Sequence, residues 1–417
     1  MPQVVAMTEC NTLTAFWSDF CRNHWESRPG QFPGFFSSPI ASPTELFQAC
    51  LDKSGAGASD RIWVASQDSY QKVDYSKFGP RTEDVDLDGF FERIDQNLKG
   101  RPFGLNRHAL QLGSAELWFR FRQFLRDFHE LLGLPTGRWD IDTFWGTYAA
   151  TPFGIHVDNA SVFAIGVKGY RTYYTWPRDY FEEDDPALHS PDPGVIDPHK
   201  AEAVRLELGP GDMVYWPSSH WHVVTSDGSP SAVIQLSCYF DFDLAQVVGN
   251  LCQRLVKTQA DRFYGQGSDL PTCLAEAGRC VEESLGEQLE TFWLKRYTAD
   301  AFWQYPAMEP AGGLPSSLRL EERGRIAWRE SGGGSLVGCN GHVLRSALKP
   351  ADLEAGLRDI ASLPAGLQTM LYRARGLRPD DKSSRADNCG LLREDVDLRE
   401  MRRGWTRREE RDGSPGR

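Results

Sequence analysis

Between residues 139 and 242 the hydrophobic pattern repeats every second residue, and this constrains the fold more than any other feature. Short runs rich in Val, Ile, Tyr, Phe and Thr are separated by turns of Gly, Pro and Asp. Val204, Leu206 and Leu208, for example, alternate with charged residues, as in a half-buried strand. Because no helical pattern lies between the runs, we expect antiparallel strands in a closed barrel or a double-layered jelly roll.

Helical periodicity flanks this region on both sides. Residues 10–60 suggest a helix, a loop and a second helix, and residues 114–134 show the i, i+3, i+4 spacing of an amphipathic helix that ends at Gly133. After residue 243, two further apolar stripes predict helices that would pack as a hairpin or across a dimer interface. The stripes are Leu244, Val247, Val248, Leu251 and Leu255, and then Val281, Leu285, Leu289 and Phe292. Residues 312–376 predict a small α/β unit.

Composition narrows the class of protein. The 417 residues carry a net charge of −12, which argues against general nucleic-acid binding. Nine cysteines without a Cys-x-x-Cys pair suit reduced thiols in the cytoplasm. No run of 18 apolar residues predicts a membrane span, and the N-terminal residues lack the pattern of a secretion signal. We therefore expect a cytoplasmic globular protein.

One pair of polar residues interrupts the strand pattern, in the stretch "FGIHVDNASVF". His156 and Asp158 are two residues apart and would project from the same face of a strand. Two ligands from one strand and a third from a later strand would form a 2-His-1-carboxylate site for Fe(II). Alone, His-x-Asp arises often by chance, and a polar strand end would explain it equally well.

A later segment, "LGPGDMVYWPSSHWHVV", offers the third ligand. His220 and His222 also share one face of an extended chain, so spacing alone does not choose between them. Arg171 follows a nearly uncharged run on the strand that leaves the His-x-Asp pair. If it is buried it needs an anion, and its guanidinium matches a carboxylate; otherwise it is a solvated arginine at the rim.

Together, "FGIHVDNASVFAIGVKGYRTYYTWP" and "LELGPGDMVYWPSSHWHVV" resemble the Jumonji-C branch of the cupin-type Fe(II)/2-oxoglutarate dioxygenases. They most resemble its bacterial ribosomal-oxygenase group, whose entry motif is similar to "FCRNHWESRPGQFPGFF". The resemblance covers about residues 15–45 and 115–245. It implies a mainly β fold with α additions, with a double-stranded β-helix (jelly roll, cupin) core.

The resemblance also implies roles for individual residues. His156, Asp158 and His222 match the Fe(II) ligands, which leaves His220 on the substrate side. Arg171 and Thr147 match the residues that bind 2-oxoglutarate. Sequence proximity adds candidates for the lining of the substrate pocket, namely Tyr148, Trp216 and Trp221.

The resemblance implies the domain organisation as well. Residues 1–243 would be the catalytic domain, 244–310 a helical and possible dimerisation segment, and 311–378 a winged-helix-like unit. The charged tail, 379–417, is expected to be disordered. An acidic, proline-rich insert at 178–202 is expected to be an exposed loop, and residues 55–110 match nothing in the family pattern.

The function expected is an Fe(II)- and 2-oxoglutarate-dependent oxygenase that hydroxylates a C–H bond of an amino-acid side chain in a protein or peptide. The acidic insert would suit a basic substrate. Two alternatives stay open at this point. One is a hydroxylase of a free or carrier-bound amino acid, and the other is a non-catalytic cupin-like module that binds a peptide.

Overall fold

A computed structural model describes residues 10–51, 60–66, 69–240, 243–258, 269–310, 312–380 and 392–394. The chain divides into two compact units, Met1–Phe240 and Asp241–Arg417. Among the described helices none has the length and apolar character that crossing a membrane requires. Most of the tail for which we expected disorder lies outside the described residues.

The first unit contains six helices and eleven strands among its described residues. The helices are α1 (Cys10–Asn23), α2 (Pro43–Leu51), α3 (Tyr75–Phe78), α4 (Leu87–Leu98), α5 (Ala115–Leu132) and α6 (Pro193–Ile196). The strands are β1 (Gly30–Phe32), β2 (Arg61–Ala65), β3 (Tyr70–Val73), β4 (Phe103–Arg107), β5 (Arg138–Gly146), β6 (Ala160–Lys168), β7 (Arg171–Pro177), β8 (Val204–Leu208), β9 (Met213–Trp216), β10 (His220–Thr225) and β11 (Ser231–Tyr239).

These strands form two antiparallel sheets. The major sheet has the order β1-β9-β6-β11-β5-β4-β2-β3, and the minor sheet has the order β10-β7-β8. One buried apolar cluster joins them, with Val162 and Val214 from the major sheet packed among Tyr173, Leu206 and Val224 from the minor sheet. This is the double-layered fold that the period-two pattern predicts, and a closed barrel is not formed.

Helix α5 covers the outer face of the major sheet and confirms the helix predicted over 114–134. Ser114 caps its first turn by accepting a hydrogen bond from the Leu117 N–H. It ends at Gly133, whose φ of +77° favours glycine. Its buried face includes Phe124 and Phe128, which contact Trp17 of α1.

The acidic insert at 178–202 is not simply an exposed loop. It contains α6 and a 3₁₀ turn over Asp197–Glu202. Phe181, Ala187 and Ile196 are buried in a second apolar cluster with Trp176 and Trp221 of the minor sheet. The expectation of an exposed loop is therefore wrong for these residues, because apolar side chains spaced without a period anchor an otherwise acidic segment.

The second unit begins with two helices, α7 (Leu244–Thr258) and α8 (Leu270–Thr298). They contact each other within one chain, with Cys280 Sγ 3.8 Å from the Leu255 carbonyl oxygen, as in the predicted hairpin. Small sheets and two short helices follow. They are β12 (Leu318–Leu320), β13 (Ile326–Ser331), β14 (Gly334–Cys339), β15 (His342–Ser346), α9 (Pro350–Arg358), α10 (Ala365–Arg373), β16 (Leu377–Pro379) and β17 (Leu392–Glu394). This is a small α/β unit, and its winged-helix likeness stays a prediction.

The core of the second unit gives a stability prediction. Leu371 of α10 is fully buried against Val337 and Leu353. Leu371→Ala is expected to lower the free energy of unfolding of this unit by about 2–5 kcal/mol, because it removes buried methyl groups and leaves a cavity. Thermal denaturation followed by circular dichroism measures the loss. Leu274→Ala on the exposed side of α8 is the control and should change stability by less than about 0.5 kcal/mol.

Candidate metal centre

The segment that carries His156 lies beside β10 as an additional edge of the minor sheet. His156 and His222 form an antiparallel bridge. The His156 N–H donates to the His222 carbonyl at 3.0 Å, and the His222 N–H donates back at 2.8 Å. These two backbone hydrogen bonds fix His156 opposite His222, although the two residues are 66 positions apart in the sequence.

Three side chains converge at this point. His156, Asp158 and His222 each offer a ligand atom, and these atoms lie within 4.8 Å of one another. Asp158 Oδ1 is 3.9 Å from His156 Nε2, and Asp158 Oδ2 is 3.5 Å from His222 Nε2. His222 is buried, while the Asp158 side chain is 44% exposed, so the cluster is enclosed on one side and open on the other.

The protonation of the histidines suits metal binding. His156 Nδ1 lies 3.0 Å from the Gly154 carbonyl oxygen, which favours a proton on Nδ1 and leaves the Nε2 lone pair free. Burial, together with the nearby His156, holds the pKa of His222 well below its usual range, so this imidazole stays neutral. Two neutral imidazoles and one carboxylate are the donor set of Fe(II) sites with open coordination positions. The residues present therefore fit an iron ion.

Arg171 lies on β7, four residues before Thr175, the strand partner of His222. It is buried, and it donates hydrogen bonds to Ser231 Oγ at 3.1 Å, to the Phe144 carbonyl at 2.9 Å and to the Ser231 carbonyl at 3.1 Å. Its guanidinium lies over the Tyr148 ring, 5.0 Å from the centroid. All these partners are neutral, so among the described residues the buried cation has no carboxylate partner. An anionic ligand would supply the missing charge.

Buried donors without partners lie between Arg171 and the His-Asp-His cluster. Alternation along β7 places Arg171, Tyr173 and Thr175 on one face, and Thr175 pairs with His222 in the sheet. Thr175 Oγ1, Tyr148 OH and Trp216 Nε1 are buried without a hydrogen-bond partner among the described residues. Buried polar atoms are normally satisfied, so these atoms indicate a polar ligand in this space. A small dicarboxylate such as 2-oxoglutarate fits this arrangement.

The other predicted site residues have different surroundings. The Trp216 ring is 4.9 Å from the His222 ring, and Tyr148 is buried beside Arg171. His220 is half-buried, and burial lowers its pKa. The Thr147 hydroxyl accepts a hydrogen bond from the Phe103 N–H at 3.3 Å.

Trp221, which we expected in the lining of the substrate pocket, lies on the opposite face of β10 from His222. Successive residues of a strand point to opposite faces, and Trp221 packs with Phe181 in the cluster beneath the acidic insert. Its indole N–H donates to the Arg178 carbonyl at 3.0 Å. The alternation was visible in the sequence, so this residue could have been excluded from the pocket.

Two residues beside the site were missed. Ser231 is the hydroxyl that contacts Arg171, and the Phe153 ring lies 5.5 Å from the His156 ring. Ser231 reaches Arg171 because β11 pairs with β5 and β6, and a single sequence carries no signal for that pairing. Phe153, three residues before His156, was available as an aromatic neighbour of the predicted ligand.

A pair of buried carboxyl groups lies on one face of β5. Asp142 accepts from Tyr239 OH at 3.3 Å and lies 3.1 Å from His108 Nδ1. Asp140 accepts hydrogen bonds from Gln111 Nε2 and from a backbone N–H. Burial and the neighbouring Asp142 raise the pKa of Asp140 to about 7.

The raised pKa of Asp140 predicts a pH dependence of stability. Between its unfolded-state pKa of about 4 and the folded-state value of about 7, the folded protein binds more protons than the unfolded protein. The free energy of unfolding should therefore fall as pH rises through this window, by up to about 4 kcal/mol. Asp140→Asn should flatten this fall. Urea unfolding at pH values from 4.5 to 8 measures the slope in both proteins, and an unchanged slope would contradict the assignment.

Comparison with known proteins agrees with this architecture. No curated protein matches the chain. Among solved structures, YcfD, a ribosomal oxygenase from Escherichia coli, matches with a TM-score of 0.51 at 16% identity, over 88% of this chain and 98% of YcfD. YcfD in complex with cobalt and succinic acid also matches with a TM-score of 0.51 at 16% identity, over 87% of this chain and 97% of that chain. At this identity the likeness supports the fold.

A family model matches part of the chain. Residues 139–244 match the model of the JmjC domain, so this segment is similar to a JmjC domain. It contains β5 to β11, the His-Asp-His cluster and Arg171. The match confirms the resemblance and the jelly-roll fold class expected from the sequence, and it supports the expected enzyme class, an Fe(II)/2-oxoglutarate-dependent dioxygenase, with its cofactor pair.

Proposed function

We propose that the JmjC domain hydroxylates a C–H bond of an amino-acid side chain in a protein, and that His156, Asp158 and His222 hold its iron. The convergence of the three ligand atoms within 4.8 Å carries the assignment of the ligands. His222 is buried and the Asp158 side chain is 44% exposed, so the substrate would approach the iron from the side of Asp158.

The cosubstrate would lie between the two ends of the site. Arg171 would bind the far carboxylate of 2-oxoglutarate, and the unpartnered Tyr148 and Thr175 hydroxyls are available along its length. Iron, 2-oxoglutarate and O₂ together supply the oxidation of C–H to C–OH, with succinate and CO₂ as the co-products. The chain's own part is to hold these groups and the substrate in register and to exclude water.

Two features support a protein substrate with basic character. A groove of about 270 Å³ lies between the β2–β3 hairpin, Ala149–Ala150 and the insert residues Pro191–Pro193. Ala150, which lines this groove, pairs with Thr225 of β10, three residues along the strand from His222. The insert carries exposed acidic side chains, with Asp192 at the groove itself, and these favour a cationic partner. The related fold of YcfD, a ribosomal oxygenase, makes ribosomal proteins the first candidates to test.

The test is a product search with purified enzyme. The protein is loaded anaerobically with Fe(II), supplied with 2-oxoglutarate and O₂, and incubated with ribosomal proteins, basic peptides and free amino acids. Mass spectrometry should find a +16 Da product in a protein or peptide, with succinate formed in equal amount. A product found only among free amino acids would overturn the protein-substrate proposal, and failure to bind Fe(II) would overturn the assignment of the iron ligands.

A further inference from the structure

The acidic insert forms direct backbone contacts with the segment that carries His156. Leu188 and Ile155 form a parallel bridge, and the His189 N–H donates to the Ile155 carbonyl at 2.9 Å. On its other side the same segment pairs with His222 of β10. The His156 segment is therefore held between β10 and the insert, and is not a free sheet edge.

The contact is close at Gly154, whose carbonyl oxygen lies 3.0 Å from His156 Nδ1. Gly154 has a φ of +62°, and a Cβ added there would lie 2.2 Å from the Ser190 carbonyl oxygen. Backbone atoms of the insert thus fill the space that a side chain would need. A shift of Ser190 would therefore displace Gly154, and the Gly154 carbonyl would change its hydrogen bond to the His156 ring.

The insert is itself anchored to the minor sheet by buried contacts. Phe181 packs against Trp176 and Trp221, with ring centroids 5.4 and 6.0 Å apart. Trp176 donates its indole N–H to the His199 carbonyl at 3.0 Å. Ile155, which precedes His156, is fully buried in the same cluster. The anchor and the metal-ligand segment therefore share one apolar core.

We infer that the insert is a positioning element for the iron site, which fixes His156 by clamping residues 154–156 against β10. This inference rests on the proposed function, because it concerns the same three ligands. Phe181, Leu188 and the backbone of Ser190 act as positioning residues, because none of them belongs to the three-ligand cluster. The insert's acidic surface and its buried side then have separate roles, one toward solvent and one toward the ligand segment.

Binding of Co(II), followed by its visible absorption spectrum, tests the inference in the full-length protein without relying on activity. Phe181→Ala should weaken Co(II) binding by about tenfold or more and change the absorption bands, since disturbed support of a ligand typically costs 10- to 100-fold in metal affinity. Phe181→Leu, which keeps the packing, should restore the wild-type spectrum. Phe91→Ala is the matched control, since Phe91 has the same 5% exposure but lies on α4, where it packs against Phe90 of that helix and Phe103 of β4.

A second pair of variants tests the close contact and covers the case in which Phe181→Ala does not fold. Gly154→Ala should weaken Co(II) binding by a similar factor. Gly34→Ala carries the same cost of positive φ, at +58°, but its added methyl meets nothing within 4 Å, so Co(II) binding should stay within about twofold of wild type.

The outcomes separate the two proposals. If the wild type binds Co(II) and the insert variants bind it as tightly with unchanged spectra, the insert does not position His156. The assignment of the three iron ligands is then unaffected. If the wild type does not bind Co(II), both the proposed iron site and the positioning role of the insert are refuted.

Discussion

Replacement of Asp158 with alanine is expected to abolish metal binding and turnover together. Asp158 is the only carboxylate in the described three-ligand cluster, and both histidine Nε2 atoms lie within 4 Å of it. Its removal leaves two imidazole ligands, which supply no negative charge to offset the positive charge of Fe(II). Since disturbed supporting residues alone cost up to about 100-fold in metal affinity, loss of a ligand should cost more than about 100-fold.

The fold should survive this change. The Asp158 side chain is partly exposed and buries little surface, so the metal-free variant should unfold near the temperature of the metal-free wild type. The unfolding temperatures of the two proteins should differ once metal is added. At 100 times its dissociation constant, a metal ion stabilises the wild type by about 2.7 kcal/mol, and this gain should vanish in the variant.

Isothermal titration with Fe(II) under anaerobic conditions, thermal unfolding with and without metal, and succinate formation measure the three effects. Asp88→Ala is the control, because Asp88 is an exposed carboxylate that pairs with Lys168 at the surface. Oxygenase activity retained by Asp158→Ala would refute the assigned ligand set.

The sequence was sufficient for much of this site because its signals are local. His156 and Asp158 are two residues apart, and strand alternation alone places them on one face. The choice between His220 and His222 as the third ligand has no such local signal. Both share a face of β10, and only the pairing of His222 with His156, a contact between distant residues, brings one of them to Asp158.

The parts that sequence reasoning missed depend on tertiary contacts. The composition of residues 178–202 is acidic and proline-rich, which indicates solvent exposure, yet Phe181 and Ile196 are buried against the minor sheet. Residues 55–110 matched no pattern, and their described part supplies β2, β3 and β4 at one side of the major sheet. Neither the buried side chains of the insert nor the strands β2 to β4 follow from a regular hydrophobic spacing in the sequence, so no local pattern predicts them.

Arg171→Gln is expected to raise the 2-oxoglutarate concentration needed for half-maximal turnover by at least about 100-fold. The proposed contact is a pair of charge-assisted hydrogen bonds to a carboxylate, each contributing about 1.5–3 kcal/mol. Glutamine has an amide nitrogen at the position of Arg171 Nε, so it can still donate to Ser231 Oγ, but it has no charge for the cosubstrate. Fe(II) affinity should change by less than about threefold, because Arg171 contacts none of the three proposed ligands.

Graded variants distinguish this role from a structural one. Ser231→Ala removes the Oγ that accepts from Arg171 Nε, and should raise the 2-oxoglutarate requirement by about tenfold or less. Arg107→Gln also alters a buried arginine, but Arg107 already pairs with Asp60 at 3.1 Å, so that variant should lose stability and keep its 2-oxoglutarate requirement. Calorimetric titration of 2-oxoglutarate into the metal-loaded proteins reads binding directly. Equal 2-oxoglutarate affinity in wild type and Arg171→Gln would mean that the buried guanidinium serves only to join β7 to β5 and β11.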